Sequence, residues 1–83
     1  MPGNEVTNSI RRLRFDNGEM TQQELAERVG VTRQTIIAIE SGKYMPSLPL
    51  AFKLARAFGK GVEEVFSFED GRPQSPEKEA VGA

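Results

Sequence analysis

Arg33, Gln34, Ile37, Ala38 and Ser41 fall on one stripe of a helical repeat, at i, i+1, i+4, i+5 and i+8. An arginine fork beside a carboxamide offers two groups able to bond a flat partner at two points each. Ile37 and Ala38 add apolar contact next to them. This is recognition chemistry, and bond-making chemistry has little to draw on. The chain has no Cys and no His, which removes thiolate metal sites, disulfides, Ser–His nucleophiles and imidazole bases. No carboxylate pair falls on a core-facing position, and no Gly-rich loop precedes a Lys-Ser/Thr pair. We therefore expect no enzyme, no metal and no cofactor.

The same segment has a second stripe, Ile36 and Ile39, which suits a core. The stretch Thr21 to Lys43 reads as two short helices with a turn at Gly30. Thr21 and Glu24 form a Thr-x-x-Glu capping box for the first helix, whose apolar residues are Leu25, Ala26 and Val29. Gly30 suits the left-handed residue that ends a helix, and Thr32 suits the cap of the next. A short helix fixing a second helix with an exposed Arg/Gln face is an arrangement that reads base edges in the DNA major groove.

Eighty-three residues allow one small domain. No apolar run approaches the ~20 residues of a membrane span, and the N-terminus lacks a signal pattern. The expected location is cytoplasmic, with no membrane partner. The net charge is −1, but it is unevenly placed. Residues 1–60 hold nine Lys/Arg and six Asp/Glu, a net +3, while residues 61–83 hold two and six, a net −4. Non-specific attraction to nucleic acid should be modest, since it comes from phosphate neutralisation.

Along the chain, Val6, Ile10 and Leu13 predict a first helix from Asn4, capped by Asn4 or Thr7 and stopped at Asn17-Gly18. Met20 is placed to pack before the Thr21 cap. After Lys43, Ser47 caps a helix with the stripe Leu48, Ala51, Leu54, Ala55 and Phe58, and Gly59 stops it. Gly61 to Phe66 predicts a last short helix. The expected fold is all-α with five helices: a domain over residues 4–68 containing a motif at 22–41. Residues 69–83 have the composition of a disordered acidic tail.

The residues Thr21-Gln22, Leu25-Ala26, Gly30-Val31, Ile36, Ile39, Glu40 and Gly42-Lys43 together resemble the helix-turn-helix of lambda-repressor/Cro-like (XRE-family) transcription regulators. The flanks Arg12-x-Arg14, Pro46-Ser47-Leu48 and Ala51-x-x-Leu54-Ala55-x-x-Phe58-Gly59 extend the resemblance to about residues 5–68. It implies a five-helix lambda-repressor-like domain that binds double-stranded DNA. It implies that Arg33, Gln34, Ile37 and Ala38 face bases. Gln22, Thr32, Ser41, Lys43 and the helix start at Ser47 would meet phosphates, with Gln22 also bracing the start of the recognition helix. Ala26, Gly30, Ile36 and Ile39 would hold the geometry, and Arg14 and Glu40 would pair. Three features depart from the family pattern: a turn about one residue longer at Asn17–Met20, Ile37 in place of a small polar residue, and Gly61 in place of a Ser or Thr cap.

Leu50, Phe52 and Phe68 lie off the main stripes and, with Phe66, predict a homodimer surface. The expected function is a sequence-specific regulator, by default a repressor, bound as a homodimer to a palindromic site. The rival reading is an antitoxin or protein-interaction module, which neutralises a partner protein through its tail and autoregulates its own operon.

Overall fold

The computed structural model describes residues 5–69. The chain runs β1 (Glu5–Asn8), α1 (Ile10–Asp16), α2 (Gln22–Val29), α3 (Arg33–Glu40), α4 (Leu48–Ala57), α5 (Val62–Val65) and β2 (Phe66–Glu69). Five helices build the domain, as the periodicity predicts. Residues 70–83, which carry most of the expected tail and the rival reading that depends on it, lie outside the described residues.

The start of the chain corrects one expectation. Helix was predicted from Asn4, yet Glu5–Asn8 is extended and pairs antiparallel with Phe66–Glu69, in the register Val6↔Phe68 and Asn8↔Phe66. The physical reason lies in Val6, Thr7 and the last residues of the domain. Two short segments that cannot fill a helix satisfy each other's backbone groups instead. Thr7 does not cap α1, whose cap position is Ser9, and Asn4 lies outside the described residues. The Asn8 side chain, one residue before that position, accepts the Ile10 N–H at 3.1 Å. The final helix is also shorter than predicted, since Phe66 already belongs to β2.

The other ends follow the sequence. The Thr21 hydroxyl accepts the Glu24 N–H at 3.0 Å while the Glu24 carboxylate accepts the Thr21 N–H at 2.8 Å. Gly30 ends α2 in the left-handed region, at φ 80°. Its N–H and that of Val31 both donate to the Ala26 carbonyl, at 2.8 and 3.0 Å. Thr32 and Ser47 cap α3 and α4 through their hydroxyls. Gly61 supplies no side chain to cap α5, and its N–H is held instead by Glu64 Oε1 at 2.7 Å.

The buried core comprises Ile10, Met20, Leu25, Ala26, Val29, Ile36, Ile39, Leu54, Ala55, Phe58 and Val65, with Leu13 and Leu50 packed at its margin. Every helix contributes. Leu48 does not join it: at 66% exposure it stands in solvent, contrary to the predicted stripe. It is the first residue of α4, and the inward face begins with Ala51 and continues through Leu54 and Ala55. Leu50 turns inward where it was expected to lie off the core.

Candidate nucleic-acid interface

The core sets the roll of α3. Ile36 and Ile39 are sealed beneath it, at 0% and 1% exposure. The side of the helix opposite these two residues therefore faces out. Arg33, Gln34 and Ser41 are exposed, Ile37 is 37% exposed and Ala38 is half-buried. The structure thus brings the predicted stripe to one outer face. Ala26 is wholly buried, and α2 and α3 pack together. A larger side chain there would push the two helices apart.

The C-terminal end of α3 is fastened by charge. Arg14 Nε donates to Glu40 Oε2 at 2.5 Å and Nη2 to Glu40 Oε1 at 3.2 Å. The third guanidinium nitrogen, Nη1, donates to the Met20 carbonyl at 2.8 Å. Both side chains are largely shielded, with 14% and 11% exposure. The pairing implied by the resemblance is present, and the longer turn at Asn17–Met20 is absorbed by two consecutive left-handed residues, Gly18 and Glu19.

Gln22 is half-buried, and its Nε2 donates to Glu40 Oε1 at 3.2 Å. It therefore braces the end of α3, where Glu40 sits, and not the start as expected. The reason is reach: Glu40 already gathers Arg14 beside the first turn of α2. Thr32 is exposed, and its hydroxyl accepts the Thr35 N–H at 3.2 Å. Ser41 Oγ donates to the Ala38 carbonyl at 3.1 Å, and the same carbonyl accepts the Lys43 and Tyr44 N–H groups. Gly42, at φ 82°, makes that tight turn and leaves the Lys43 side chain exposed. At α4, Ser47 Oγ accepts the Leu50 N–H at 3.3 Å. Pro49 has no N–H, so the Leu48 N–H is the donor left in this first turn.

The four residues expected at a dimer surface divide. Phe52 and Phe68 are exposed, at 49% and 52%. Leu50 and Phe66 pack in part against the core. Sequence reasoning passed over two exposed apolar residues that follow α3, Tyr44 and Met45. It also passed over Asn8, whose Nδ2 donates to the Ile39 carbonyl at 3.0 Å. An asparagine just before a helix signals a cap, but nothing in the sequence pairs it with a residue 31 positions on.

A groove open to solvent is lined by Arg11, Arg14 and Phe15 of α1, the segment Glu19–Gln23 that enters α2, and Arg33 and Glu40 at the two ends of α3. Among the described residues no three His, Cys, Asp or Glu side chains are grouped to hold a metal ion. No helix among them is long and apolar enough to cross a membrane.

Comparison with known proteins agrees with this geometry. The helix-turn-helix family model matches residues 10–65. An HTH-type transcriptional regulator of Methanocaldococcus jannaschii is 61% identical over 51 residues, spanning 61% of this chain and 77% of that protein. The cryptic phage CTXphi transcriptional repressor RstR of Vibrio cholerae is 34% identical over 61 residues, spanning 74% of this chain and 54% of that protein. The crystal structure of the restriction-modification controller protein C.AhdI of Aeromonas hydrophila superposes with a TM-score of 0.62 at 33% identity, covering 66% of this chain and 82% of that one. The chain belongs to the XRE-type helix-turn-helix family of DNA-binding transcriptional regulators, not to a family of enzymes.

Proposed function

We propose that this protein is a sequence-specific repressor that acts in the cytoplasm and binds a roughly palindromic operator as a homodimer. The observation that carries the proposal is the outer face of α3: Arg33, Gln34 and Ile37 exposed on a helix whose other face is sealed in the core. Arg33 is the candidate partner for guanine O6 and N7, and Gln34 for adenine N6 and N7. Ile37, with Ala38 behind it, offers apolar contact to a thymine methyl. Gln22, Thr32, Ser41, Lys43 and the Leu48 N–H after Ser47 supply phosphate contacts around that face. Such contacts fix register without reading sequence.

Dimerisation through Phe52 and Phe68, with Leu50 and Phe66 behind them, would set two recognition helices in successive major grooves about 34 Å apart. The similarity to a phage repressor supports repression as the direction of control. Selection of bound sequences from random DNA by the purified protein tests the proposal. Two inverted half-sites about one helical turn apart are expected. A selected pool with no common sequence would refute it.

A further inference from the structure

Asn8 ends β1, two residues before α1, and its side chain is bonded at both ends. Oδ1 accepts the Ile10 N–H at 3.1 Å, and Nδ2 donates to the Ile39 carbonyl at 3.0 Å. Its backbone pairs with Phe66 of β2. The next residue, Ser9, donates its N–H to the Val65 carbonyl at 2.9 Å. One half-buried carboxamide therefore joins the start of α1, the two-stranded ribbon and the C-terminal end of α3.

The carbonyl it reaches belongs to the last turn of α3, where a helix lacks internal donors for its own carbonyls. Ile39 also receives the Gly42 N–H at 3.0 Å, from the turn that leads to Lys43. The other restraints at this end, Arg14 and Gln22, act on the Glu40 side chain. Thr32 and Ser41, the caps of α3, bond its main chain from within the same segment, whereas Asn8 reaches the main chain of the helix from a different element of the fold. A backbone bond fixes the height and tilt of the helix, whereas a side-chain bond leaves the rotamers of Glu40 some play.

We infer that Asn8 is a positioning residue for DNA recognition: it ties the last turn of α3 to the ribbon and so sets how the Arg33–Gln34–Ile37 face is presented. The inference rests on the reading of α3 as the base-contacting helix. Asn8 itself touches no base in this account. Base-edge hydrogen bonds require donors and acceptors within a narrow range of distance and angle. Phosphate attraction is long-ranged and tolerates a shifted helix. Loss of the Asn8 bond should therefore reduce discrimination more than overall affinity.

The test compares Asn8→Asp, Asn8→Ala, Arg33→Ala and Glu64→Ala with wild type, on a selected operator and on unrelated duplex DNA. Asp keeps the acceptor for Ile10 and removes the donor to Ile39. Glu64→Ala removes the α5 cap bond to Gly61 and controls for a general loss of stability. The expected result is a three- to tenfold drop, roughly, in the ratio of specific to non-specific binding for both Asn8 variants, the effect of one hydrogen bond. Non-specific binding should stay level in the uncharged Asn8→Ala variant, and Glu64→Ala should keep the wild-type ratio. Asn8 variants with the wild-type ratio, beside an Arg33→Ala that loses it, would overturn the inference alone. An Arg33→Ala with the wild-type ratio would overturn the reading of α3 and the inference with it. Should Asn8→Asp not fold, hydrogen exchange of the wild-type Asn8 side-chain amide decides. Exchange slower than that of the exposed Gln34 side-chain amide supports the bond to Ile39, and equal exchange overturns it.

Discussion

Arg14 and Glu40, 26 residues apart, meet through two hydrogen bonds, Nε to Oε2 at 2.5 Å and Nη2 to Oε1 at 3.2 Å. This pair locks α1 to the end of α3, and Gln22 adds α2 to the same carboxylate. Three helices thus converge on Glu40.

Breaking the pair should be costly, because the surviving charge stays mostly out of water. Glu40→Ala is expected to lower stability by about 2–3 kcal/mol, below the 3–5 kcal/mol of a fully buried pair because some solvent reaches it. Arg14→Ala should cost much less in the Glu40→Ala background than alone. Urea unfolding of the four proteins measures this coupling, and strictly additive losses would mean the pair contributes nothing of its own.

Gly30 turns α2 into α3 at φ 80°, and nothing lies within 4 Å of where a Cβ would stand. Its substitution therefore carries a backbone cost without a clash. Gly30→Ala should destabilise by about 1 kcal/mol, and Gly30→Asn by less, since Asn tolerates the left-handed region better. Thermal unfolding would show the order; an Asn variant less stable than the Ala variant would contradict it.

Glu19 holds a left-handed conformation, φ 58°, without being a glycine. It is exposed and ends the turn that lets Met20 enter the core. Glu19→Asn is expected to raise stability by about 0.5 kcal/mol, with DNA binding unchanged. A fall in the unfolding midpoint would show that the Glu19 side chain matters beyond its backbone.

Lys43 is exposed beside the turn that closes α3. Lys43→Ala should weaken binding to all sequences alike and reduce the salt dependence, the slope of log K against log salt, by about 1. Binding isotherms across a salt series check this. An unchanged slope would remove Lys43 from the phosphate contacts.

Much of this architecture is legible in the sequence, and the reasons are local. The Thr21–Glu24 box, Gly30 and the caps at Thr32 and Ser47 each act within a few residues, so spacing alone reveals them. The two stripes of α3 are legible for the same reason. The strands were not legible. Val6, Ile10 and Leu13 keep helical spacing, and the pairing of Val6 with Phe68 depends on contacts across the whole chain. The bond from Asn8 to Ile39 and the turn of Gln22 toward Glu40 are equally non-local. Leu48 misled because the first residue of a helix can fit the period without reaching the core. Arg14 and Glu40 could be paired in advance by family resemblance, not by spacing.

The central claim is that α3 reads bases through Arg33 and its neighbours. Parallel selections from random DNA with wild type and Arg33→Ala test it most directly. Arg33→Ala is expected to lose about 1–3 kcal/mol in specific binding, with discrimination relaxed at one position of each half-site and retained elsewhere. An Arg33→Ala protein that selects the same sequences with the same affinity would contradict it.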